Sequence, residues 1–98
     1  MPPSINQASQ ANTPAIISTA TALSANANRR FFSIQNVGTN ELFVLLGTGA
    51  SSTVFHTVLK KGTGNSDGLG GIYSSGTVVY TGIVTIAGTS PLYTVTEL

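Results

Sequence analysis

The sequence predicts an all-β fold: an antiparallel β-sandwich or jelly-roll-like barrel with an extended N-terminal arm. Three observations lead there. Short segments rich in Val, Ile, Thr, Phe and Tyr recur at regular spacing, Gly- and Asn-containing turns part them, and no segment carries apolar residues at a helical period. A chain of 98 residues makes one domain at most. The expected organisation is a flexible or extended arm over residues 1–15 and a single sandwich domain over residues 16–98.

Residues 1–28 hold no charged side chain and are built largely from Ala, Asn, Ser, Thr, Gln and Pro, with Pro2, Pro3 and Pro14 as punctuation. From Ile16 to Leu23 the β-branched content rises, which reads as a first strand or as an extended segment lying on a neighbour. The strand is favoured, beginning near Ala15. Arg30 to Val37 alternates, with Phe32 and Ile34 pointing one way and Phe31, Ser33 and Val37 the other. Gly38-Thr39-Asn40 has the residues of a hairpin connection, because Gly and Asn tolerate the positive φ angles of tight turns. Leu42 to Leu46 has no polar side chain on either face, the mark of a central strand covered on both sides.

After a loop over residues 47–52, Thr53 to Leu59 alternates as another strand. The glycine-rich "GTGNSDGLGG" at residues 62–71 reads as an exposed mobile loop. Strands are expected at Thr77–Thr81 and Ile83–Ala87 with Gly82 as the bend between them, and a closing strand at Leu92–Glu97 after Gly88-Thr89-Ser90-Pro91.

Charged residues are 7% of the chain, against about a quarter in ordinary soluble domains. Four basic residues and a net charge of +1 give no electrostatic basis for gripping a row of phosphates, so nucleic acid is not an expected partner. Cysteine is absent and His56 is the single histidine, so neither a disulfide framework nor a Cys/His metal site is expected. No cofactor is expected. Ala25-Asn26-Ala27 resembles a signal-peptidase site, but no basic residue precedes it and Ser18, Thr19 and Thr21 break the apolar stretch. No run approaches the eighteen or so apolar residues of a membrane span. The expectation is a soluble protein made in the cytoplasm, with no membrane partner.

Candidate chemistry is sparse. His56 as a catalytic base would need Glu41, Asp67 or Glu97 as its orienting partner, each of them in a turn, loop or terminus, so the chain is not expected to be an enzyme. The glycine-rich loop gives G-x-G-x-x-x-G, lacks the G-K-[ST] ending of a P-loop and precedes no helix. Asn65 and Asp67 lack the repeated carboxylates of an EF-hand, so they mark a loop tip. Tyr73, Tyr80 and Tyr93 are candidates for a sugar-stacking platform, weighed against half-buried strand positions.

The strongest signal concerns association. From Gly68 to Thr96 no side chain is charged, although the interval includes "TVVYTGIVTIAG", a stretch of high β-propensity with no gatekeeping charge or proline. Together with the doubly apolar Leu42–Leu46, this is more apolar strand than a small core hides easily. One strand face is therefore expected to be core and the other an intersubunit surface, with Phe31, Leu42, Val44, Leu46, Val79 and Ile83 as its apolar members and Arg29-Arg30 as charges reaching a partner.

The block "NRRFFSIQNVGTNELFVLLG", with the closing "YTGIVTIAG" and "YTVTEL", resembles small virion proteins of tailed bacteriophages, namely capsid decoration or cement proteins and related head or tail accessory proteins. The resemblance spans Ile16 to Leu98. It implies a β-sandwich, a homotrimer or other symmetric homo-oligomer, a place on the capsid surface of the virion, and clamping of neighbouring major capsid subunits, with no catalytic residues. The alternative expectation is a head-fibre or tail-associated module that recognises a host surface glycan through its loops and tyrosines.

Overall fold

The computed structural model describes residues 4–7 and 17–98. Among these residues the structure is all-β, with eight strands and no helix. The strands are β1 (Ser4–Gln7), β2 (Ile17–Leu23), β3 (Phe32–Asn36), β4 (Leu42–Leu45), β5 (Thr57–Leu59), β6 (Ile72–Ser74), β7 (Val84–Thr89) and β8 (Tyr93–Glu97). They form two four-stranded antiparallel sheets, ordered β1-β8-β3-β6 and β2-β7-β4-β5. The sheets share one hydrophobic core, so the arrangement is sandwich-like.

Strand periodicity places the core. In β3, Phe32, Ile34 and Asn36 point inward while Ser33 and Gln35 point out, so every second side chain is buried. Phe32 and Ile34 meet Tyr93 and Val95 of β8, Leu42 and Val44 of β4, Leu59 of β5, Val84 and Ile86 of β7 and Leu23 of β2 in a single cluster. The register of β2 against β7 shifts between Thr21 and Leu23. That irregularity lets two residues oppose one and brings Leu23 inward.

Several expectations are corrected here. Gly38-Thr39-Asn40 is not a hairpin, because β3 and β4 lie in different sheets and the segment carries the chain across from one to the other. Gly38 is required there for closeness: a Cβ would lie 3.2 Å from Leu92 Cβ. The strand expected over Thr53–Leu59 is confined to Thr57–Leu59, and Thr77–Thr81 is not a strand. That segment spans the end of the sandwich between β6 and β7, with the Thr81 carbonyl accepting from Asn26 N–H. The unforeseen strand is β6, which pairs with β3 immediately after the glycine-rich loop. Of the expected N-terminal arm, Ser4–Gln7 pairs with β8 in register from Ser4↔Glu97 to Gln7↔Thr94. Residues 1–3 and 8–15 of that arm lie outside the described residues, as does Ile16.

Asn36 ties the two sheets together at one end. It is 1% exposed, and its Nδ2 donates to the carbonyls of Asn40, Leu59 and Lys60 at 2.8, 3.1 and 3.3 Å. Its Oδ1 accepts from Gly38 N–H at 2.9 Å. A buried amide so fully bonded avoids the desolvation cost that an orphaned polar group would carry.

Candidate interaction surface

The residues expected at an interface do not share one surface. Leu42 and Val44 are 0% and 1% exposed and belong to the chain's own core. This corrects their placement: β4 is an inner strand between β7 and β5, and these two side chains point toward the opposite sheet. Arg29 is corrected as well. It is 1% exposed and its bonds run within the chain. Nε donates to Glu97 Oε1 at 2.8 Å, Nη1 to the carbonyls of Tyr80 and Gly82 at 3.0 and 2.9 Å, and Nη2 to the Ser24 carbonyl at 2.6 Å. The guanidinium sits 5.7 Å from the centre of the Phe32 ring. Five donors in a rigid fork suit this junction of three segments, which a lysine could not span. Phe31, Leu46 and Ile83 are half-buried, with Leu46 packed against the core, while Arg30 and Val79 are exposed.

The second face of the apolar strand β4 is partly covered by the chain's own loop between β4 and β5. Thr85, on the outer side of β7, donates its hydroxyl to the Gly47 carbonyl at 2.7 Å and accepts from Ala50 N–H at 3.2 Å. Thr19 donates to the Ala50 carbonyl at 2.8 Å. These bonds press Ala50 to 1% exposure against the sheet. Further along the loop Phe55 lies over Phe43, ring centres 5.0 Å apart and tilted by 52°. The chain's own loop thus covers part of the greasy outer face of β4, where Phe43 and Leu45 are half-buried.

Besides Val54, Phe55 and Leu98, further apolar side chains are exposed. Val58 is 45% exposed, Leu69 61%, Ile72 63%, Val78 68% and Val79 61%. All belong to β5, β6 or the segments flanking β6, and β5 and β6 are the edge strands that meet along one side of the sandwich. Charge appears on this side only in the β5–β6 connection, at Lys60, Lys61 and Asp67.

The glycine-rich connection is ordered by Asp67. Its Oδ2 accepts from Thr63 N–H, Thr63 Oγ1 and Gly64 N–H at 2.8 Å each, and its Oδ1 accepts from Leu69 N–H at 2.9 Å. The bond from Leu69 N–H, reinforced by those from Thr63 and Gly64, lowers the Asp67 pKa to about 2. With its oxygens turned to the loop's own donors, Asp67 is a loop organiser.

The remaining candidates also take structural roles. His56 Nδ1 accepts from Leu46 N–H at 3.1 Å, closing the base of the β4–β5 loop. The tyrosines do not form a platform: Tyr93 is 4% exposed, its pKa raised by burial, and Tyr73 and Tyr80 pack against the core with ring centres 5.8 and 6.4 Å from Phe32. Among the described residues no group of acidic, histidine or cysteine side chains is placed to hold a metal, and no helix is long and apolar enough to cross a membrane. An open depression of about 360 Å³ lies over the start of β4, lined by Asn40, Glu41, Phe43, Ser52, Lys61 and Thr89. Arg29 and Asn36 were legible only as a charge and as a strand amide. The one hint was the inward phase of Asn36 with Phe32 and Ile34. Comparison with known protein families, with curated proteins and with solved structures finds no match to this chain.

Proposed function

We propose that this protein is a structural component of a tailed-bacteriophage virion, a capsid decoration or cement subunit wound as a jelly roll. The observation that carries the reading is the set of exposed apolar side chains on and around β5 and β6, outside a hydrophobic core that the two sheets form without them. A surface of this kind is retained where a partner covers it. The winding is supported by the strand orders β1-β8-β3-β6 and β2-β7-β4-β5, the nested sequence of two Greek keys in an eight-stranded jelly roll. Capsid proteins are among the hosts of that architecture, which adds support by analogy of fold alone.

The mechanism is mechanical. Apolar surface covered in the assembly contributes about 25 cal/mol per Å² before the costs of association are subtracted, and repetition over a symmetric shell adds avidity. Purified protein added to undecorated capsids is expected to sediment with the shells and raise their resistance to heat and denaturant. Saturable attachment to host cells without shell binding would favour the adhesin reading instead, which the inward-turned tyrosines leave without its expected platform.

A further inference from the structure

We propose that the outer edge of β6 pairs antiparallel with the same edge of a second copy about a two-fold axis at Tyr73, joining two four-stranded sheets into one. This deepens the virion reading and rests on it for the premise that the β5/β6 side is the docking side. The hydrogen-bond phase carries the proposal. Asn36 N–H donates to the Gly71 carbonyl and Ser75 N–H to the Phe32 carbonyl, while Tyr73 stands opposite Ile34. In an antiparallel ladder that phase turns the backbone groups of Tyr73 toward β3 and those of Ile72 and Ser74 away from it. Since β6 is the end of its sheet, no described residue meets them.

Two such edges are self-complementary. With Tyr73 on the axis, Ile72 of one copy stands opposite Ser74 of the other, each N–H facing a carbonyl. The antiparallel direction also carries Leu69 of one copy toward Val78 and Val79 of the other, so apolar surface meets apolar surface at both ends. Charge favours a second copy over a charged partner: β6 and the segments that follow it carry no charged side chain from Gly68 to Thr96. Leu69, Ile72, Val78 and Val79, all more than 60% exposed, and the unpaired β6 backbone supply the contact surface.

Light scattering across a concentration series is expected to give twice the 10.0 kDa chain mass. Ile72→Lys and Val79→Lys should each reduce it to one chain with an unchanged circular dichroism spectrum. Ser74→Pro removes the outward N–H and should weaken the dimer at least tenfold, whereas Ser74→Ala, which loses only the hydroxyl bond from Gly76 N–H, should not; amide exchange at Ile72 and Ser74 should slow as concentration rises. A monomer at all concentrations, a trimer, or a dimer indifferent to Ile72→Lys, Val79→Lys and Ser74→Pro overturns the pairing. A monomer that still stabilises capsids refutes the pairing and leaves the virion reading intact. A dimer that never binds shells does the reverse.

Discussion

Replacing Arg29 by alanine tests whether this residue belongs to the folding unit or to a partner contact. Its side chain is 0% exposed and that of Glu97 16% exposed, so the pair is largely withdrawn from water. Alanine would remove the ion pair with Glu97 and take the donor from the carbonyls of Ser24, Tyr80 and Gly82, which accept from the guanidinium at 2.6 to 3.0 Å. Removing one partner of a buried ion pair costs about 3–5 kcal/mol. Against a total of about 5–15 kcal/mol for a domain, that is a large fraction, and in a chain of this size it lowers Tm by about 15 °C or more. Urea titration followed by circular dichroism reads the difference directly. Arg29→Lys should recover only part of the loss, since one ammonium cannot reach acceptors on three segments. A loss below about 1 kcal/mol for Arg29→Ala, or a loss of association with monomer stability unchanged, would refute the assignment.

Other substitutions probe the joints of the fold. Asn36→Ala leaves the carbonyls of Asn40, Leu59 and Lys60 and the Gly38 N–H without their partner, and denaturant titration should show a loss of about 2–3 kcal/mol. Gly70→Ala places a methyl group on the Asn36 carbonyl oxygen, backbone that cannot swing aside, so the variant should be destabilised by at least 2 kcal/mol in the same assay. Asp67 has its folded pKa depressed from 3.8 to about 2, so its contribution is complete above pH 3.8 and disappears as pH falls through 2. Amide exchange at Leu69 should therefore remain slow at pH 5 and lose protection toward pH 2, and Asp67→Asn should show fast exchange at both.

Strand identity was legible where alternation was strong. Phe32 and Ile34, and later Tyr93 and Val95, announce their inward phase through every second residue, and the structure buries all of them. The failures have physical causes. Thr77–Thr81 has the composition of a strand, but it must cross from one sheet to the other, and β-propensity cannot tell a crossing from a ladder. Gly38-Thr39-Asn40 has hairpin chemistry, yet the same residues serve equally when the next strand leaves the sheet. The interface expectation went astray because an apolar strand face records only that something covers it. For β4 part of that cover is Phe55 of its own loop, and the same loop is held to β2 and β7 by bonds between Ala50 and Thr19 and Thr85, far along the chain. Arg29 could not be placed inside from sequence, because its burial depends on Glu97 and on carbonyls 51 and 53 residues away. Of the apolar residues left exposed, Leu69, Ile72, Val78 and Val79 lie in the uncharged stretch that the composition singles out, while Val54, Phe55, Val58 and Leu98 lie outside it.

The alternation of the strands between the sheets bears on how the chain is made. Every step from one strand to the next changes sheet, except the step from β4 to β5. Only that hairpin can zip up from neighbouring residues, and all other pairing waits on distant closures that are slow to find. The strand β8 lies between β1 and β3, so during synthesis the two remain unjoined until the ribosome has released Tyr93–Glu97. A nascent polypeptide of this design keeps the facing edges of β1 and β3 uncovered until β8 emerges to fill the gap between them.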